Sequence, residues 1–157
     1  MAATAGRIYL ADGPDCLVMD AVTGQDLTRF KAPPPTHPSN CWRFVAWQGD
    51  QLFGCADAPA VMPGTKPPLP VLQGGPATLF ALNLASGAPT WVRGGSTNEE
   101  LGAAFGTPLA IGGERIFLRA NFTNLFALDT RSGKTTWKAD VLEDTNNATW
   151  WEGVVHR

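Results

Sequence analysis

The chain has 157 residues, a formal net charge of −2 and only 17% charged residues, so it carries no basic footprint for nucleic acid or an anionic membrane surface. No apolar run approaches the roughly 18–20 residues that a membrane helix requires. The 17 Gly, 13 Pro and 10% aromatic residues, with no long amphipathic helical pattern, point to one all-β domain of short strands joined by turns.

In chain order, the first strand candidate is Arg7–Ala11 (RIYLA), followed by the phrase CLVMDAVTG at Cys16–Gly24. Next come Trp42–Trp47 (WRFVAW), Gln51–Cys55 (QLFGC) and LFALNLASG at Leu79–Gly87. Ala104–Ile111 (AFGTPLAI), Arg115–Ala120 (RIFLRA) and LFALDTRSG at Leu125–Gly133 complete the series. The phrase thus occurs three times: an apolar strand ends in Asp20, Asn83 or Asp129, and Gly24, Gly87 or Gly133 follows four residues later. An Asp or Asn side chain can bond its own backbone two residues on, and Gly supplies the positive φ that closes a tight hairpin. Self-similarity of this kind marks a repeat architecture. The unit is a meander of four short strands. The interval before the second glycine is longer than the interval before the third, which places an insertion at 57–76.

Apolar strand, Asp/Asn, two residues, Thr/Ser-Gly, then Trp four residues on, at Trp91 and Trp137, resembles the repeat of the pyrroloquinoline-quinone (PQQ) type β-propellers. The match is most specific in ERIFLRANFTNLFALDTRSGKTTW. It is weaker in the first unit, where Thr28 stands at the Trp position with Phe30 nearby. A repeated hairpin in another all-β fold is the alternative. The resemblance implies a partial β-propeller of four-stranded antiparallel blades, with Trp91 and Trp137 stacked between neighbouring blades. Blade 1 is expected over 6–32, blade 2 over 41–95 with its insertion, blade 3 over 103–140, and the start of a further blade in the tail 141–157. Only Met1–Gly6 precede Arg7, so the first unit is expected to lack its leading strand. Propellers have typically 4–8 blades. The chain therefore reads as a segment of a longer chain or a partner in a composite ring, its remaining blades coming from that chain or from another copy.

In a four-stranded blade, the B–C and D–A connections leave one face and the A–B and C–D turns the other. Here the first set is long: Lys31–Cys41, Ala56–Pro76, Arg93–Ala103 and Val141–Thr149. The second set is short. Long loops on one rim of a rigid scaffold are the usual carriers of binding residues, which makes His37, Asp57, Arg93, Glu99, Glu100, Asp144 and Trp150 the candidate rim for a protein or small ligand. Pro33–Pro35 and Pro59 to Pro70 read as stiff rim segments rather than sheet.

Site chemistry is sparse. His37 and His156 lack metal-ligand spacing partners, and the acidic Glu99, Glu100, Glu143 and Asp144 read as solvated loop residues. Cys41 and Cys55 bracket the first two strands of blade 2 and would pair only in an oxidising compartment; otherwise they and Cys16 serve as small apolar residues. No nucleophile elbow, phosphate-cradling loop or haem-attachment motif occurs. Asn121-Phe122-Thr123 and Asn147-Ala148-Thr149 fit the glycosylation acceptor pattern.

The resemblance carries two functional implications. One branch comprises quinoprotein alcohol and sugar dehydrogenases, which hold PQQ and Ca²⁺ in the central funnel; the vicinal Cys-Cys pair of its prominent members is absent here, and no calcium or catalytic position matches. The other branch keeps the blades without the cofactor and works as scaffold or sensor. Repeats without site residues favour the second, a non-catalytic binding module without cofactor, with a PQQ- and Ca²⁺-dependent dehydrogenase fragment as the alternative. Met1–Leu10 is too short and too polar for a secretory leader. The expected location is periplasmic, as for the family, if a leader precedes this segment, and cytoplasmic otherwise.

Overall fold

The computed structural model describes residues 1–34, 40–57, 60–61, 70–71, 77–94, 110–120 and 124–140. The fold is all-β, with three four-stranded antiparallel sheets. The first is a meander of β1 (Ala2–Ala3), β2 (Arg7–Asp12), β3 (Asp15–Asp20) and β4 (Asp26–Lys31). In the second, β5 (Cys41–Gln48) and β6 (Gln51–Asp57) pair with β9 (Thr78–Asn83) and β10 (Pro89–Gly94). Between β6 and β9, β7 (Ala60–Val61) and β8 (Pro70–Val71) form a separate two-residue ladder inside the insertion. The third sheet contains β11 (Ala110–Gly112), β12 (Arg115–Ala120), β13 (Asn124–Asp129) and β14 (Thr135–Asp140). No helix among the described residues is long and apolar enough to cross a membrane.

The first sheet departs from expectation, because it has a leading strand. Ala2 and Ala3 pair with Tyr9 and Ile8, and Thr4 and Arg7 close the turn between them. Two residues suffice because Trp47 of the next sheet anchors the strand, its indole N–H donating to the Ala3 carbonyl at 2.6 Å. The expected tail 141–157 lies outside the described residues, as do 104–109 of the strand expected at Ala104–Ile111.

The repeated phrase closes each sheet in the same way. Asp20 Oδ1 accepts from the Val22 and Thr23 amides at 2.9 and 2.7 Å and from the Thr23 hydroxyl. Asn83 Oδ1 accepts from the Ala85 and Ser86 amides and the Ser86 hydroxyl, and Asp129 Oδ1 from the Ser132 amide and hydroxyl. Each turn ends in a glycine with φ near +70° (71°, 71° and 67°) whose amide donates back to the carbonyl of the Asp or Asn. A register shift follows at the same place in all three hairpins, and the residue after the Asp or Asn donates to the A–B turn of its own sheet: Ala21 to Gly6, Leu84 to Asp50 and Thr130 to Glu114.

Packing is between sheets. Strand side chains alternate across the pleat, so the middle sheet feeds two cores. Leu52, Ala56, Phe80 and Leu82 pack with Tyr9, Val18 and Phe30 of the first sheet. Phe53, Cys55, Leu79, Ala81 and Trp91 pack with Ile116, Leu118, Phe126 and Leu128 of the third. Both faces of β6 and β9 are buried, which is why their sequences are continuously apolar. Trp42 and Phe80 meet edge to face at 4.8 Å over Gly54, where an added Cβ would lie 2.4 Å from both rings.

Trp91 reaches across the second interface. Its ring covers Gly133, where a Cβ would come within 2.6 Å, and its indole N–H donates to the Thr130 carbonyl at 2.9 Å. Phe30 covers Gly87 in the same manner. Thr28 does pair with Val18 as Trp91 pairs with Ala81, but the ring comes from Phe30, two residues on and hence on the same face.

Trp91→Ala is expected to lower stability by about 3–5 kcal/mol, the usual range for truncating a buried Trp, read from chemical unfolding midpoints. The carboxyls of Asp20 and Asp129 are held below their usual value of 3.8, Asp20 mainly by the Thr23 amide and Asp129 mainly by the Ser132 hydroxyl. A lowered folded-state pKa contributes stability above the unfolded value and loses it as pH falls through the folded one. Asn83 makes the same turn without charge, so an Asp20→Asn/Asp129→Asn variant should keep the fold. Its melting temperature should vary less than that of the parent between about pH 5 and pH 2.

Candidate functional site

The two faces of the sheets differ in how their strand ends are finished. On the turn face, the three Asp/Asn turns and the A–B turns satisfy one another, and Gln48 reaches across to donate its side-chain amide to the Gly113 carbonyl of the third sheet. Two grooves lie between the sheets on this face. One, of about 550 Å³, runs between the second and third sheets past Gln51, Thr90, Glu114 and Arg131. The other, of about 620 Å³, runs between the first and second past Arg7, Tyr9, Trp47 and Leu84. The opposite face is where β4, β6 and β10 end and β5, β9 and β11 begin, so connections 32–40, 58–77 and 95–109 all root there.

The distinctive described group on that rim sits at the root of the first two connections. The Asp57 carboxylate, 3% exposed, ends β6 and accepts from the Arg43 Nε on β5. Arg43 occupies a register shift between Trp42 and Phe44, which turns it out of the alternating pattern. Its side chain remains 34% exposed, and hydrogen bonding to Asp57 raises its pKa above the ordinary value. Asn40 is buried beside this strand start, and its Oδ1 makes no hydrogen bond within the described structure. Trp42 ties the same strand to the first sheet, its amide donating to the Gly13 carbonyl at 2.7 Å.

The cysteines near this pair are thiols, with no disulfide. Cys41 stands opposite Asp57, whereas Cys55 stands opposite Phe44, so the register does not face Cys41 with Cys55. Burial pushes the Cys55 thiol up to about 12, and the neighbouring Asp57 charge adds to the rise; burial likewise pushes Cys16 up to about 12. Neither thiol is a nucleophile at neutral pH.

Of the residues expected on the rim, Asp57 stands there, as half of an internal ion pair. Arg93 lies between sheets, donating to the Gly133 carbonyl at 2.8 Å and to the Thr135 hydroxyl at 3.0 Å, so it reinforces the contact that Trp91 makes. His37, Glu99, Glu100, Asp144 and Trp150 lie outside the described residues. Arg43 and Asn40 escaped the sequence reading. The available signal was a lone charge inside the apolar WRFVAW run, on the strand preceding a QLFGCAD strand that itself ends in an acid.

A Ca²⁺ site of the quinoprotein kind needs several converging oxygen ligands. Among the described residues no three His, Cys, Asp or Glu side chains form such a group, and Asp57 is already engaged by Arg43. The described residues therefore do not fit that ion.

No protein-family model and no curated protein matches the sequence. Solved structures do match. BamB from Moraxella catarrhalis superposes with a TM-score of 0.56 at 15% identity, over 89% of this chain and 36% of that one. A europium-containing methanol dehydrogenase gives 0.59 at 12% identity, over 88% and 31%. The quinohemoprotein alcohol dehydrogenase ADHIIG from Pseudomonas putida HK5 gives 0.57 at 11% identity, over 86% and 25%. The chain thus spans about a quarter to a third of the length of these structures. With the three hairpin-closed sheets, the likeness defines the class of fold: a β-propeller. The chain holds three consecutive four-stranded blades of it, similar in fold to those of these three structures.

Breaking a buried ion pair from one side leaves an uncompensated charge. Arg43→Ala is expected to cost about 2 kcal/mol, below the range for fully buried pairs because Arg43 is partly solvated. Arg43→Ala/Asp57→Asn should recover part of that loss in urea unfolding. A double variant no more stable than the single one would show that the uncompensated Asp57 charge is not the source of the loss.

Proposed function

We propose that the chain is a non-catalytic segment of a PQQ-type propeller and works as a binding or scaffold module through the rim where its long connections root. The observation that carries this reading is the contrast between the two faces. On one face the Asp, Asn, Thr and Ser side chains of the turns are engaged by bonds within their own turns. On the other, connections 32–40, 58–77 and 95–109 leave a framework fixed by two buried inter-blade cores. Rigid blades below and long segments above suit recognition of a partner without chemistry. Arg43 gives this rim a partly exposed cation held in place by a buried carboxylate, which suits a partner presenting carboxylates or other anionic groups.

PQQ titrated into the chain with Ca²⁺ is expected to leave tryptophan fluorescence unchanged and to give no dye reduction with alcohols or sugars. Stoichiometric uptake of PQQ would favour the dehydrogenase reading. For the binding role, the parent chain, a variant with 58–76 replaced by a short Gly-Asn turn, and Arg131→Glu on the turn face should be compared. A partner bound by the parent is expected to be kept by Arg131→Glu and lost by the shortened variant. Equal loss in both, or in neither, would count against the rim.

A further inference from the structure

The two inter-blade contacts are built alike, and each outer blade presents one partly exposed half of the same contact; in the first blade Leu17 of that half is buried. In the second blade, Phe53, Ala81 and Trp91 stand side by side across three strands. The Phe53 and Trp91 rings lie 6.2 Å apart at 42°, and the third blade covers the row, leaving Trp91 9% exposed. In the third blade the corresponding row is Phe117, Ala127 and Trp137. Its rings lie 6.0 Å apart at 47°, the same arrangement, yet Trp137 is 40% exposed.

The first blade carries the opposite half. The surface that Trp91 and Phe53 meet is built from paired apolar residues, Ile116 with Leu128 and Leu118 with Phe126, beside the Gly133 turn. The counterpart in the first blade is Ile8 with Met19 and Leu10 with Leu17, beside the Gly24 turn. Leu10 is 38% exposed. Gly24 has the same φ as Gly87, but no ring lies over it: nothing comes within 4 Å of an added Cβ. Gly87 and Gly133 are both capped by an aromatic ring from the preceding blade.

We infer that the third blade of one copy of this chain docks on the first blade of a second copy, with Trp137 over the partner's Gly24 turn and its indole N–H donating to the carbonyl of Ala21 of the partner subunit. That acceptor is the counterpart of Thr130, which receives the Trp91 N–H. The contact continues the interface already present twice within the chain, and the residues on the two surfaces are complementary in kind. It is heterologous, so it either closes a ring or propagates. Among the described residues two copies supply six blades, within the typical 4–8 of propellers, so a dimer that makes the contact twice is the closed form this blade count allows. Three copies overshoot that range. The inference is independent of what the rim binds.

Sedimentation of the 157-residue chain from about 1 to about 100 µM tests it. The expected species is a dimer, with Trp137 shielded from iodide quenching. Trp137→Ala and Leu10→Glu should each weaken dimerisation by at least about tenfold, as loss of an interface anchor does. Arg131→Glu should leave it unchanged. Trp137 and Leu10 are exposed within a single copy, so far-UV circular dichroism and the unfolding midpoint of the dissociated variants should stay native. A monomer throughout that range, or a dimer indifferent to both substitutions, overturns the inference. In that event the surface belongs to a further blade of a longer chain.

Discussion

The structure depends on a ring laid over a glycine. A strand near the outer edge of one blade offers an aromatic side chain, and the next blade offers a turn whose glycine has no Cβ to obstruct it. At Gly133 a single added carbon would sit 2.6 Å from the Trp91 ring, and at Gly87 it would sit 2.5 Å from Phe30. The glycine is thus required twice over, once for its positive φ and once for the space above it. Asp20, Asn83 and Asp129 act upstream of this, because their side chains hold the turn in the shape that presents the glycine. Sequence motif, turn geometry and inter-blade packing are one device.

Magnitudes support that order. Full burial of a large apolar side chain is worth about 1.5–3 kcal/mol. The visible surface ion pairs are worth about 0–1 kcal/mol each. Arg29 with Asp12, Asp15 and Asp26 is the largest such group among the described residues, but Arg29 is 46% exposed. The ion pair of consequence is Arg43 with Asp57, because one partner is buried and cannot be resolvated if the other is lost. Its role follows from position: it holds the end of β6 to the start of β5 at the point where the chain leaves the sheet for its longest insertion.

What the sequence disclosed was local, and what it concealed was distant. The Asp/Asn-to-Gly phrase was legible because its bonds lie within four residues. Its three copies set the hairpins, the bulges and the blade count of the repeat. The continuous apolar character of QLFGCAD and TLFALN was legible as strand, but not as evidence of two separate cores. That needs the pleat and a neighbour on each side. Phe30 was misread as bystander to Thr28, since strand pairing singles out position 28 while packing uses the side chain two residues on. The short β1 was invisible because two alanines carry no periodicity, and an indole some forty residues away holds them. Arg93 sits next to the rim in sequence, but two of its hydrogen bonds go to the neighbouring blade.

Separation of labour between the faces bears on function. The Asp or Asn, the Thr or Ser and the Gly of the repeated phrase are committed to the fold by turn bonds and packing, so variation at those positions is penalised. Arg43, Asp57 and Asn40 lie outside the phrase, on the face where the connections root, and none of the repeated turn bonds involves them. A repeat fold gains individuality only where its units cease to be equivalent. Among the described residues the Arg43–Asp57 pair marks such a place, at a strand junction of the middle blade, the blade whose two faces are both buried and whose position is therefore the most firmly fixed. A recognition element gains most from such placement, because the framework has already borne the entropy of ordering it.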